Sequence, residues 1–262
     1  MNLYIVGDSH TLALSRGLEQ LKEAGQVDER IARVDAKFLY PGYRVGTEFY
    51  QRTEDVIKFK GVKLKNKLKA LTGRRHIAKQ YGDPVFAFSS GFYHRGLIET
   101  MLREGILPWH VLPDVQGVRR ISMGETKALV HGFNEYLFRF FKDLQDLGIR
   151  FFLVAPPGPR LDDRVGAIAP ALHGHLALDP LFRTIVQQWY DDNDIPYLSA
   201  PLSTLNSDHS LRAEYYERLN GDDHHASTEY GRLMSALIIQ KAVELYGEGR
   251  RVPDRLAEGV VG

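Results

Sequence analysis

The chain has 262 residues, 44% hydrophobic and 26% charged, the composition of an ordinary soluble globular protein of one large domain or two small ones. A formal net charge of +1 excludes a globally basic nucleic-acid binder, and the lack of cysteine excludes disulfides, a thiolate nucleophile and cysteine-ligated metal. No apolar stretch approaches the roughly 20 residues of a membrane-spanning helix. The first apolar run starts too close to the N-terminus to leave room for a signal peptide, so the expected location is cytoplasmic.

Apolar runs alternate with helical patterns. Leu3 to Val6 has the length of a strand, and Leu14, Leu18 and Leu21 then share one helix face, with Gly25 as its stop. Ala36 to Tyr40 predicts a second strand ending at Pro41-Gly42, and Val85 to Phe88 a third ending at Ser89-Ser90-Gly91. A broad apolar face of Leu129, Phe133, Tyr136, Leu137, Phe140 and Phe141 predicts a strong helix. Phe151 to Ala155 is a fourth strand, leading into Pro156-Pro157-Gly158-Pro159, and Pro196 to Ser199 a short fifth. The last helix starts near Ser227, with Met234, Leu237, Ile238, Ala242 and Leu245 inward.

This alternation predicts one α/β domain over 1–246, three-layered, with a mostly parallel sheet of about five strands, and a frayed tail over 247–262. Three stretches exceed a minimal fold. They are a basic, helical insertion over 47–83, an irregular excursion over 104–124 and a Gly/Ala/Pro/His loop over 158–178. Ligands in such folds bind beyond the carboxyl ends of the strands, where Ser9, Gly42, Gly46, Ser90 and Gly91 fall.

Gly7-Asp8-Ser9 closes the first strand and precedes the first helix, so the serine hydroxyl sits at a strand-to-helix corner. A serine is a weak nucleophile until a base takes its proton. The distant Asp222-x-x-His225 supplies a base and a carboxylate to orient it. The plainer alternatives are that Asp8 or Ser9 only caps the first helix, and that the second block only caps the last. The doubled Asp222-Asp223 and His224-His225 leave Asp223 and His224 as substitutes in the same roles.

Read together, Val6-Gly7-Asp8-Ser9-His10 and Asp222-Asp223-His224-His225-Ala226-Ser227 resemble the two blocks of the SGNH/GDSL hydrolase family, in the family's order and at nearly its full span. The resemblance implies a flavodoxin-like sheet and a triad of Ser9, His225 and Asp222. It also implies an oxyanion hole made by the serine N–H, a glycine N–H after the second strand and an asparagine after the third. Gly46 is the preferred glycine and Gly42 the runner-up. The third strand departs from the pattern: it ends Ser89-Ser90-Gly91-Phe92-Tyr93-His94, with Tyr93 where asparagine would stand. His94 is the chosen replacement donor, with Ser90 and the Tyr93 hydroxyl as alternatives. Gly42, Ser90, Gly91 and Tyr93 are expected to contact substrate. A missing oxyanion donor typically costs about 2.7–4 kcal/mol of barrier.

The Asp-Asp-His-His run also admits a metal site, with Asp208-His209 nearby. Against it, adjacent histidines on an extended segment point to opposite sides, so neither metal nor other cofactor is expected. From Val56 to Gly82 the only charges are basic apart from the histidine, which reads as a solvated helix face or a dock for an anionic substrate or acyl carrier. The expected activity is a serine esterase or deacylase acting on a small-molecule or glycan O-acyl ester, with a carbohydrate ester favoured by the resemblance. An acyltransferase using the same triad and a non-catalytic binding module on the same scaffold are the alternatives. Neither nucleic acid nor a membrane span is expected.

Overall fold

The computed structural model describes residues 1–42, 46–79, 84–92, 94–161, 171–218, 222 and 224–247. Five parallel strands form the main sheet: β1 (Asn2–Gly7), β2 (Arg33–Phe38), β6 (Val85–Phe88), β9 (Phe151–Val154) and β10 (Tyr197–Leu198). Their order is β2-β1-β6-β9-β10, with Leu3 facing Val34 on one side and Val85 on the other. The central β6 and β9 are buried at every position, as expected of parallel strands covered on both faces.

Alternation along the strands divides the core in two. Leu3, Ile5, Val85, Ala87, Phe152 and Val154 pack against α1 (Thr11–Glu23) and α7 (Thr228–Tyr246). Tyr4, Val6, Phe86, Phe88, Phe151 and Leu153 face α3 (Arg95–Arg103), α5 (Glu135–Asp146) and α6 (Ala171–Asp192). The second layer is aromatic. Phe88 lies 5.4 Å from Phe140 and 5.7 Å from Phe141, and Phe138 of α5 stacks on Trp189 of α6 at 4.0 Å. Among the described residues no helix is long and apolar enough to cross a membrane.

The insertion over 47–83 is not simply helical. It holds an antiparallel sheet of β3 (Tyr50–Arg52), β4 (Val56–Phe59) and β5 (Ile77–Ala78), and helix α2 (Val62–Thr72). The basic residues concealed a period of two: Ile57 and Phe59 are buried while Lys58 between them is exposed. Phe49, Tyr50 and Phe59 meet Phe140 at 5.2, 5.0 and 5.8 Å, so the insertion is bolted to the main core. Two lysines of the segment are engaged: Lys60 pairs with Glu48, and Lys67 donates to the Leu39 carbonyl at 3.0 Å.

The excursion over 104–124 contains a parallel pair, β7 (Ile106–Pro108) and β8 (Arg119–Ile121). Its turns wrap one side chain: the Arg120 guanidinium donates to the carbonyls of Pro108, Val111, Leu112, Pro113 and Val115. Helix α4 (Met123–Phe133) then opens on a capping box of Ser122 and Glu125. The loop expected over 158–178 is helical from Ala171 onward, as the start of α6, which carries Pro180 in its interior. Residues 162–170 and the tail over 248–262 lie outside the described residues.

The first and last helices meet at glycines. A Cβ on Gly231 would overlap the carbonyl of Ala13, and a Cβ on Gly17 would overlap the backbone of Gly231 and Arg232. Ser235 seals the contact by donating to the Leu14 carbonyl at 3.0 Å. Gly231→Ala is therefore expected to force the helices apart and to destabilise the protein by about 1–3 kcal/mol or more. Gly132→Ala, where the added carbon meets nothing within 4 Å, should cost no stability. Thermal denaturation of both variants checks this, and equal melting temperatures would contradict it.

Candidate active site

The corner after β1 is built by tight packing. A Cβ on Gly7 would overlap the Ser89 hydroxyl at the end of β6. Ser89 in turn bonds Thr11 of α1 at 2.7 Å, tying the first strand, the first helix and the third main-sheet strand together. Asp8 is buried and accepts from the His10 amide at 3.1 Å, while the Thr11 and Leu12 amides bond back to Asp8 and Ser9 carbonyls. Ser9 is half-buried, and its hydroxyl and amide make no hydrogen bond among the described residues.

The C-terminal block folds around one carboxylate. Asp222 Oδ1 accepts from the amides of His224 at 3.1 Å and His225 at 2.8 Å, and Oδ2 lies 2.6 Å from His225 Nδ1. This curl overturns the expectation that the adjacent histidines diverge. Their rings lie 3.7 Å apart because the segment is turned, not extended. With Nδ1 committed to Asp222, His225 Nε2 is buried and has no hydrogen-bond partner. The ring of His10, next to Ser9, lies 5.4 Å from the His225 ring. Ser227 then caps α7, accepting from the Tyr230 amide.

A buried arginine holds this turn from below. Arg160 donates to the carbonyls of Glu217 at 2.9 Å and His225 at 3.0 Å, and sits 3.8 Å from Asp222 Oδ1. Its guanidinium lies 4.3 Å from the centre of the Tyr216 ring. Nothing in the spacing of the sequence pointed to Arg160.

The environments set the charges. Burial alone would raise the Asp222 carboxyl, but the two amides and His225 together hold it well below the usual carboxylate range. Burial, and then the neighbouring His224, push His225 below its ordinary value, against the pull of Asp222. Burial pushes His10 far down as well, aided by His225 and His224, so it is neutral near pH 7. Asp8 has the opposite fate to Asp222: burial drives its carboxyl up to about 7 despite the His10 amide.

A cleft opens beyond the strand ends, walled by Asp8, His10, Ser89, His94, Arg95 and the Pro156–Arg160 loop, and by His175, Asp179, Arg183 and His224; Ser9, Asp222 and His225 adjoin this wall through His10 and His224 and are not part of it. His94 is in this wall but already bonded, its Nε2 lying 2.7 Å from Asp179 Oδ1. Asp179 also holds Arg183, one turn along α6, at 2.6 Å. Sequence reasoning missed this pair. The only signal was an acid four residues before an arginine, the spacing of an ordinary helical ion pair.

Other expected site residues fall elsewhere. Gly46 is exposed and is not in the cleft wall; before it, the Leu39 and Tyr40 amides fold onto the Gly7 carbonyl just beyond β2. Gly42 is half-buried and also outside that wall. Ser90 bonds the Tyr40 hydroxyl at 2.8 Å, and the Gly91 carbonyl accepts from Tyr190, so both are structural contacts of the core. Tyr93 and Asp223 lie outside the described residues. Asp208 caps its own turn through Ser210. The donor atoms of Asp222, His224 and His225 all lie within 4.8 Å of one another, close enough to hold a cation.

Neither a protein-family model nor a curated protein matches the sequence. Solved structures do. An acetyl xylan esterase, AlAXEase, is 14% identical over 92% of this chain and 99% of its own, with a TM-score of 0.46. A carbohydrate acetylesterase family member from Sinorhizobium meliloti is 14% identical over 94% and 98%, with a TM-score of 0.44. A GDSL-like lipase from Bacteroides thetaiotaomicron is 10% identical over 93% and 88%, with a TM-score of 0.43. The structural neighbours of this α/β chain are thus SGNH/GDSL-like lipases, acylhydrolases and carbohydrate esterases, aligned over nearly its whole length.

Proposed function

We propose that the chain is a serine hydrolase of O-acyl esters, with Ser9 as nucleophile, His225 as general base and Asp222 as its orienting carboxylate. The observation that carries this reading is the His225 ring, fixed through Nδ1 to Asp222 at 2.6 Å with Nε2 left bare. An ionised carboxylate places the ring proton on Nδ1, so Nε2 carries the lone pair that a base needs. Ser9 and His225 Nε2 are not bonded to each other in this state. Catalytic hydrogen bonds often tighten only around a bound substrate.

In this mechanism Nε2 takes the Ser9 proton as Oγ attacks the ester carbonyl carbon. The imidazolium, stabilised by Asp222, returns the proton to the leaving alcohol, and an acyl-Ser9 remains. Water then adds to the acyl carbonyl, giving its proton to Nε2, which returns it to Ser9 Oγ as the acid leaves. The Ser9 amide at the start of α1 faces the developing oxyanion, where the helix dipole assists. The alcohol is a carbohydrate or other polyol in the preferred form of this reading. An acyltransferase differs only in the acceptor, and product analysis with and without an added alcohol separates the two.

Ser9→Ala and His225→Ala should each lower ester turnover by about 10⁴- to 10⁶-fold with the fold intact, because triad members act as a unit. A fluorophosphonate should label the wild type and not Ser9→Ala. Wild-type turnover in Ser9→Ala would refute the assignment, and a larger loss in His224→Ala than in His225→Ala would shift the base by one position.

The second reading is hydrolysis by a metal-bound water, favoured by the clustering of the Asp222, His224 and His225 donor atoms. On the serine mechanism activity survives dialysis against EDTA. Loss with EDTA and recovery with zinc would replace it with the metal one.

The pH profile gives an independent check. The base works only when neutral, so kcat/KM should rise with pH through the titration of His225. Burial and His224 hold that titration below the ordinary histidine value, so the acid limb should lie below about 6.5. Replacing His224 with alanine removes one depressing charge and should move the limb upward. A limb that stays put in His224→Ala would mean that another group is titrating.

A further inference from the structure

His94 is 3% exposed and Asp179 5% exposed, and both residues line the cleft. Asp179 is tied from two sides. His94 Nε2 meets Oδ1 at 2.7 Å, and Arg183 donates to Oδ2 at 2.6 Å and to Oδ1 at 3.3 Å. Arg183 is itself pinned by the carbonyls of Pro156 at 2.9 Å and Pro157 at 2.8 Å, at the end of β9. Burial would raise the Asp179 carboxyl, but Arg183 and His94 hold it far below the usual range.

An ionised carboxylate only accepts, so the proton between Asp179 and His94 sits on Nε2. A neutral imidazole has one N–H, and Nδ1 is then a bare acceptor. That atom is buried and has no partner among the described residues. Buried acceptors are rarely left empty-handed, because an unmade bond is costly.

We propose that His94 Nδ1 accepts a hydrogen bond from a hydroxyl of the ligand in this cleft, with Asp179 and Arg183 as positioning residues that fix its tautomer. His94 is then a specificity residue for a polyhydroxylated alcohol, not a donor to the oxyanion, which would require a second ring proton. The kinetic part of this inference rests on the esterase reading; the tautomer and the binding do not.

The kinetic test compares 4-nitrophenyl acetate, which has no hydroxyl, with a monoacetylated methyl glucoside, which has several. In His94→Phe the ratio of kcat/KM for the sugar ester over the nitrophenyl ester should fall about tenfold, and His94→Gln, whose amide oxygen accepts, should restore part of it. Equal losses on both esters, or no loss on either, would overturn the proposal.

The spectroscopic test needs no turnover. Imidazole ¹⁵N spectra should show His94 protonated at Nε2 and bare at Nδ1, and Asp179→Asn should abolish that preference. Methyl glucoside added to Ser9→Ala protein should move the Nδ1 resonance. A protonated Nδ1 in the wild type, or a resonance indifferent to the sugar, would refute the proposal. A wild type inactive on every ester, with the sugar still moving Nδ1, would sink the esterase reading alone.

Discussion

The contact between α1 and α7 is the joint on which the rest of the molecule turns. Ser9 stands just before α1, and Asp222 and His225 just before α7, so the relative position of the two helices sets the relative position of the two halves of the site. Their backbones approach at Gly17 and Gly231 more closely than any side chain allows. Leu14, Leu18 and Leu21 on one helix and Met234, Ile238 and Ala242 on the other fill the remaining space over Leu3 and Ile5. Arg16 adds an ion pair to Glu217 at 2.6 Å, just before the Asp222–His225 turn. A shift of that joint would be felt at the reacting atoms, where misplacement by about 1 Å can cost a hundredfold.

Around this joint the protein assigns different charge states to chemically identical groups. Asp8 and Asp222 are both aspartates near the same cleft. Asp8 has one amide and a dry setting, and titrates near 7. Asp222 has two amides and an imidazole, and stays ionised. Pairs of groups driven apart in this way are the usual signature of divided acid and base labour. His225 and His94 repeat the theme with opposite tautomers: one presents Nε2, the other Nδ1, each because a carboxylate has claimed the other nitrogen.

Much of the fold was legible in the sequence because its signals are local. β6 and β9 read directly as unbroken apolar runs, and the stripe from Leu129 to Phe141 read as helix, although the structure breaks it at Asn134 into α4 and α5 and leaves Leu129 exposed. The Asp222–His225 pairing was legible because only two residues separate the partners and one turn joins them. What was hidden depends on distant partners or on misleading composition. The lysines over 47–83 suggested a helix where alternate burial made strands. Arg120 folds its loop through carbonyl contacts that no pattern of side chains announces. Asp179 and His94 lie far apart in the chain, and only α6 brings them together. Gly46 lies outside the cleft wall, in a stretch beyond β2 whose course no local pattern specifies.

The site also joins the two ends of the chain in time. His225 leaves the ribosome 216 residues after Ser9. At about 5–20 residues per second, the interval between them is roughly 10–40 s. Throughout it the apolar face of α1 lacks its partner α7, and the edge of the sheet beside it is covered on one side only. Hydrophobic surface exposed for that long invites chaperone binding or association with neighbouring chains. A nascent chain stalled before α7 would hold all five strands of the main sheet and the Asp222–His225 turn without the helix that packs against them, so truncation ahead of α7 should produce aggregates instead of a smaller, inactive fold.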